Sequence, residues 1–306
     1  MNGTLIYVHG ANTDPRGATD QNARISESLG AQPWGGSVAF RPLNWRQVMP
    51  INVGDWEAAI PSTSGWTRVT DIGVFAFRAI GYWFLFPLIF VVSVPPFRVP
   101  MLALTGVGLA IGYARYYIEA RDQRAGVIKR VGPQLLSDVL AYLRYRDAVF
   151  ALLDEAKAQA TQKPIVMMGL SLGGIMLVDY LADPDNAAGV DTLVTVGSQG
   201  PLVYSFDVLP NIRPVPVPGS NPPSFKPSRA PFTPWINIYS WLDHLSFVAG
   251  PVFEGVAGIE DHRVAGEKMF PASHSEYWNI PATWLHLRDA FQMGARPAES
   301  AADGSS

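Results

Sequence analysis

An apolar segment, Ile165-Val166-Met167-Met168, runs directly into Gly169-Leu170-Ser171-Leu172-Gly173-Gly174 and on into a helical pattern ending near Ala182. No other part of the chain narrows the possible folds as much. A serine at the centre of Gly-x-Ser-x-Gly, between a strand and a helix, sits on a sharp turn. Its neighbours two positions away on either side must then be small, and Gly169 and Gly173 are. The turn also aims the first N–H groups of the helix at whatever forms on the serine oxygen. The alternative is a glycine-rich turn with an incidental serine.

Strand and helix patterns alternate around this turn. Thr4–Val8 reads as a buried strand ending in His9-Gly10. A helix is expected around Asp20–Leu29, a strand over Ser37–Trp45, and irregular chain over 46–71. A long amphipathic helix is expected over Val131–Ala160, from Leu135, Leu136, Val139, Leu140, Leu143, Val149, Leu152 and Leu153. Thr192–Val196 and Trp235–Ser240 read as further strands, and Ala282–Met293 as a closing helix. Pro210–Pro234 holds nine prolines and reads as a loop. This alternation predicts an α/β fold, with a mostly parallel sheet covered by helices on both faces.

The chain has 306 residues, enough for a large buried core, and carries 23 basic against 26 acidic residues. A net charge of −3 argues against a nucleic-acid partner. The absence of cysteine removes disulfides, thiolate nucleophiles and Cys-ligated zinc. No His-Glu-x-x-His helix or paired Asp cluster suggests a metal, and no cofactor is expected.

A serine nucleophile needs a base, and the base needs an orienting acid. Five histidines compete. His9 precedes the serine, His244 follows Asp243, and His262 follows Asp261. His286 lies in the closing helix, and His274 lies late, in Ala-Ser-His-Ser-Glu-Tyr-Trp. The chain order Ser, Asp, His typical of this elbow selects His274, with His262 as rival. Asp243 falls just past a strand, at the edge where α/β sheets present functional groups. Asp261 is the alternative acid, or else a structural partner of Arg263. The turn His9-Gly10-Ala11 supplies a possible second oxyanion donor, so the oxyanion hole would comprise the N–H groups of Ala11 and Leu172.

Taken together, Val8-His9-Gly10, the Gly-Leu-Ser-Leu-Gly-Gly elbow, Asp243 and His274 resemble the α/β-hydrolase superfamily. The closer likeness is to its bacterial lipase- and esterase-like members, which Asp138–Leu143, Thr195–Gln199 and His274–Trp278 also resemble. The likeness covers about 1–45 and 130–290. It departs in lacking the usual first strands and in carrying an apolar insertion. It implies cofactor-free cleavage of an ester through an acyl-enzyme on Ser171. An amide or thioester remains an alternative, as does a non-catalytic membrane adaptor on the same scaffold.

The insertion is Ile72–Ile118. Its 47 residues hold only Arg78, Arg98 and Arg115 as charges. Ile72–Val94 and Val99–Ile118 are each long enough to span a bilayer, which takes about 20 apolar residues. Pro95–Arg98 would join them as a helical hairpin. Arg121, Arg124, Lys129 and Arg130 follow and place the catalytic part on the cytoplasmic side. A hydrophobic lid on a cytoplasmic enzyme is the alternative. The expected organisation is therefore one catalytic domain from 1–71 and 119–294, the insert 72–118, and a disordered tail 295–306. No secretory signal is read at the N-terminus. The expected ligand is a small-molecule or lipid ester.

Overall fold

A computed structural model describes residues 1–10, 15–49, 124–205, 207–218, 225–268 and 272–295. The predicted insert 72–118 and the tail beyond 295 lie outside them. Among the described residues, no helix is long and apolar enough to cross a membrane.

The centre of the molecule is a six-stranded sheet in the order β2-β1-β3-β4-β7-β8, with every pairing parallel. In chain order the main strands are β1 (Asn2–Val8), β2 (Ser37–Leu43), β3 (Ile165–Leu170), β4 (Thr192–Val196), β7 (Trp235–Tyr239) and β8 (Ile259–Arg263). The strands β1, β3 and β4 are buried along nearly their whole length. That is why they read as continuous apolar runs: a parallel sheet covered on both faces leaves no polar side. β8 carries Glu260, Asp261 and His262 and is partly exposed at the edge. Its polar composition explains why no strand is legible there in the sequence.

The principal helices are α1 (Pro15–Gly30), α2 (Arg124–Ala158), α3 (Leu172–Leu181) and α6 (Pro281–Gly294). Two shorter ones are α4 (Pro184–Ala187) and α5 (Gly200–Ser205). α1 and α6 each open on proline, whose fixed φ and missing N–H suit a first helical position. Leu5, Tyr7, Val166, Met168, Val194 and Ile236 point to one face, against Ile25 and Leu29 of α1 and Leu287, Ala290 and Phe291 of α6. The alternate residues Ile6, Met167 and Leu193 face the other way and are equally buried. α3, buried at every residue, packs against β3 and β4.

The proline-rich stretch departs from the expected loop. Pro214–Pro216 (β5) and Phe225–Pro227 (β6) pair antiparallel as a small separate ribbon. A two-stranded ribbon tolerates proline because its outer N–H groups need no ladder partner.

The chain forms two compact units, Met1–Pro50 with Tyr145–Ser306, and Ile51–Arg144. The sheet belongs wholly to the first. Of the second, only Arg124–Arg144 of α2 is described, and Tyr145 departs from helical dihedrals at φ −104° and ψ 19°.

Candidate active site

The chain leaves β1 outward to β2, then returns to β3 on the other side of β1. The turns that follow β1 and β3 therefore stand at the carboxyl ends of neighbouring strands where the winding of the sheet reverses, the position at which parallel α/β sheets bind ligands. His9-Gly10 stands on one side of it and Ser171 on the other. The two turns touch: a Cβ built on Gly10 would lie 3.0 Å from Ser171 Cβ.

Ser171 links β3 to α3 with φ 53° and ψ −119°. This is a left-handed conformation that a serine adopts at a cost of about 1–3 kcal/mol. The surroundings impose it. Ser171 N–H donates to Val196 O at 2.9 Å, and Ser198 Oγ donates to Ser171 O at 3.1 Å. A Cβ on Gly169 would fall 2.5 Å from backbone atoms of Gly173 and Gly174. A Cβ on Gly173 would overlap the Val8 carbonyl. Both glycines are thus required by close backbone packing, as their spacing predicts. Leu172 is the first residue of α3, so its N–H has no acceptor within the helix. Ala11, the other expected oxyanion donor, lies outside the described residues.

Asp243 and His274 come together at the same sheet edge. His274 Nδ1 is 2.8 Å from Asp243 Oδ2, and the carboxylate is buried. Tyr277 O–H donates to the same oxygen at 2.8 Å, while Leu245 N–H donates to Oδ1 at 3.0 Å. Ser273 Oγ donates to Leu242 O at 2.7 Å, tying the histidine turn to the aspartate turn. Burial, and then the Asp243 charge, push the Tyr277 phenol well above its ordinary range, so it remains a donor. Gly197 makes room for this cluster. Its φ is 55°, and a Cβ there would meet Tyr277 and Asp243 Oδ2 at 2.8 and 2.9 Å.

The turn Val196-Gly197-Ser198-Gln199 after β4 joins the two halves. It holds the serine backbone through Val196 and Ser198 and borders the Asp243–Tyr277 contact through Gly197. Gln199 Nε2 donates to Ser171 Oγ at 3.5 Å. Among the described residues, no hydrogen bond joins Ser171 Oγ to His274.

The remaining candidates are placed elsewhere. Asp261 lies within β8, and its carboxylate is occupied by Asn237 Nδ2 (2.6 Å) and the N–H groups of Ala249 and Gly250 (2.8 Å each). His262 faces Glu260 at 3.1 Å and stacks on His286 with ring centroids 4.0 Å apart. His9 is fully buried, stacked on Trp45, with Nδ1 on Gly10 O at 2.9 Å. It serves the turn. Burial holds its imidazole below the usual range. His244 is exposed beside Asp243. Among the described residues, no group of three or more His, Asp or Glu could hold a metal ion.

Three residues of the site, Ser198, Gln199 and Tyr277, lie in the segments Thr195–Gln199 and His274–Trp278 that carry the resemblance, but the sequence assigns none of them a role. Ser198 and Gln199 carry the signal that marks Asp243, polar residues just past an apolar strand. Tyr277 lies three positions beyond His274.

The sheet defines the chain as an α/β protein with an all-parallel six-stranded core. No protein-family model matches the chain, and no curated protein matches its sequence.

Proposed function

We propose that the chain is a serine hydrolase of the α/β-hydrolase type that cleaves a carboxylic ester. The observation that carries this reading is the buried Asp243–His274 pair at the same sheet edge as a strained elbow serine. In the proposed reaction Ser171 Oγ bonds to the ester carbonyl carbon while His274 Nε2 takes its proton. Asp243 holds His274 in the tautomer with Nδ1 protonated and stabilises the imidazolium. The carbonyl oxygen becomes an oxyanion facing the Leu172 N–H and the turn after His9. The C–O bond to the alcohol then breaks, with the His274 proton passing to the departing oxygen. Water repeats the sequence on the acyl-enzyme and releases the acid. The Ser171–His274 hydrogen bond forms in the substrate complex, since such bonds often tighten only there.

A fluorophosphonate probe tests the reading directly. The purified protein is expected to label once, on Ser171, and Ser171→Ala is expected to abolish labelling. Labelling that survives the substitution removes Ser171 as nucleophile.

We propose further that 72–118 associates with membrane, on the sequence argument alone. Carbonate-washed membranes are expected to retain the protein, and its release into the supernatant would reject the hairpin.

A further inference from the structure

Gln199 is 5% exposed and sits against the nucleophile, yet its amide is almost unused. Nε2 reaches Ser171 Oγ only at 3.5 Å, the long limit of a hydrogen bond. Oε1 is buried with no partner at all. A buried amide carbonyl left without a donor costs about 1–3 kcal/mol, so such groups call for an explanation. The other polar side chain of this turn is engaged: Ser198 Oγ donates to Ser171 O and accepts from Gly200 N–H. Only the side chain facing the reacting oxygen has spare capacity.

Its position indicates the part of a substrate it would meet. β3 has two neighbours in the sheet, β1 and β4. The oxyanion turn follows β1. Gln199 follows β4, on the side of β7 and Asp243, which hold His274. In acyl transfer the histidine returns its proton to the leaving group. Gln199 is therefore on the leaving-group side. The two ends of an amide lie about 2.2 Å apart, so Oε1 lies within a few ångströms of Ser171 Oγ, the range in which an atom one or two bonds beyond a departing oxygen would fall. With Nε2 toward Oγ, the serine keeps its own proton for His274, and the end that awaits a partner is the acceptor.

We infer that Gln199 is a specificity-determining residue that selects esters whose leaving alcohol carries a hydrogen-bond donor, a hydroxyl, next to the scissile oxygen. This rests on the hydrolase reading above. The substrate hydroxyl donates to Oε1 and supplies the missing hydrogen bond. A leaving group without a donor buries the carbonyl unpaired and is disfavoured by that cost, a factor of roughly 5 to 150.

The test compares 2-hydroxyethyl octanoate with 2-methoxyethyl octanoate, which match in inductive effect and differ by the donor and one methyl group, so the comparison between wild type and Gln199→Met decides. Two quantities are measured: kcat/KM, and the concentration that halves the rate of fluorophosphonate labelling at Ser171. The second is read even for an ester turned over too slowly to follow. The wild type is expected to favour the hydroxy ester at least about 5-fold on either scale. Gln199→Met, similar in volume and without the amide, is expected to bring the ratio close to one, whatever its absolute rates. Equal treatment of the two esters by the wild type overturns the inference, as does an unchanged ratio in Gln199→Met. A protein that does not label at all fails the hydrolase reading instead, so the two failures are distinguishable.

Discussion

Asp243 lies four residues past β7 and Asp261 within the neighbouring strand β8, and both are candidate acids, each directly before a histidine. Their surroundings differ in kind. Asp261 receives two backbone N–H groups and the Asn237 amide, none of which can take up or release a proton in the working pH range. It continues a buried chain in which Trp235 Nε1 donates to Thr195 Oγ1 at 2.8 Å and Thr195 donates to Asn237 Oδ1 at 2.7 Å. That carboxylate fixes the 247–250 loop against the sheet. Asp243 instead turns one oxygen to a single backbone N–H and the other to His274 and Tyr277. A carboxylate held only by amide donors anchors a fold, whereas one shared with a histidine can orient a base.

The sharpest way to break this contrast is to replace each acid by its amide. Asp243→Asn is expected to lower the Ser171 labelling rate roughly 10³–10⁴-fold, because the amide favours the wrong histidine tautomer. Its thermal midpoint should stay near that of the wild type. Asp261→Asn should do the reverse. It sets an amide N–H₂ against donors and costs about 1–3 kcal/mol of stability, with the labelling rate per folded molecule nearly unchanged. If the two variants exchange these phenotypes, Asp261 is the acid.

Tyr277→Phe should have a smaller effect in the same direction as Asp243→Asn. Removing one hydroxyl leaves the Asp243 carboxylate bound to His274 and to the Leu245 N–H but less firmly oriented. A roughly 10-fold loss in labelling rate is expected, of the size typical when a supporting hydrogen bond is lost. A rate unchanged within two-fold would show that Leu245 and Ser273 suffice to hold the pair.

Thr195→Val interrupts the chain behind Asp261. It leaves the Trp235 N–H and Asn237 Oδ1 without partners inside the core, at a cost of about 1–3 kcal/mol. For a domain of this size that lowers the melting midpoint by several degrees. Labelling at a temperature well below the midpoint should not change. A loss of labelling there would mean that the two carboxylate systems are coupled.

The contrast also explains what could be read from the sequence. The elbow was legible because Gly169, Ser171 and Gly173 act within five residues and sit between patterns of different period. The four central strands were legible because burial on both faces makes them mostly apolar and β-branched. β8 was not, because Glu260, Asp261 and His262 lie at an exposed edge. The choice between Asp243 and Asp261 could not be made from spacing, since it depends on which donors arrive from 247–250 and from 274–277. Tyr277 acts across 34 residues and Gln199 across 28, through turns whose meeting depends on strand order. Local patterns carry no trace of that order.

The smallest predicted effect concerns His286, the ring stacked on His262 at the β8 side of the contrast. Burial, and then the nearby His262, lower its proton affinity from the ordinary 6.5, while Asp289 and Glu260 oppose the shift without reversing it. The buried His9 is shifted in the same direction, chiefly by burial. In both cases the unfolded chain binds a proton that the folded chain resists. Stability is then complete above about pH 6.5, falls as the pH drops through the unfolded value, and levels off below the depressed folded one. Urea unfolding at pH 7.5 and 5.0 should show a lower midpoint at the acidic value. His286→Gln should reduce that difference without removing it, because His9 contributes separately. An undiminished difference in His286→Gln would assign the acid sensitivity to His9 or to the carboxylates. The Asp243 side would then have to be examined through Asp243→Asn at the same two pH values.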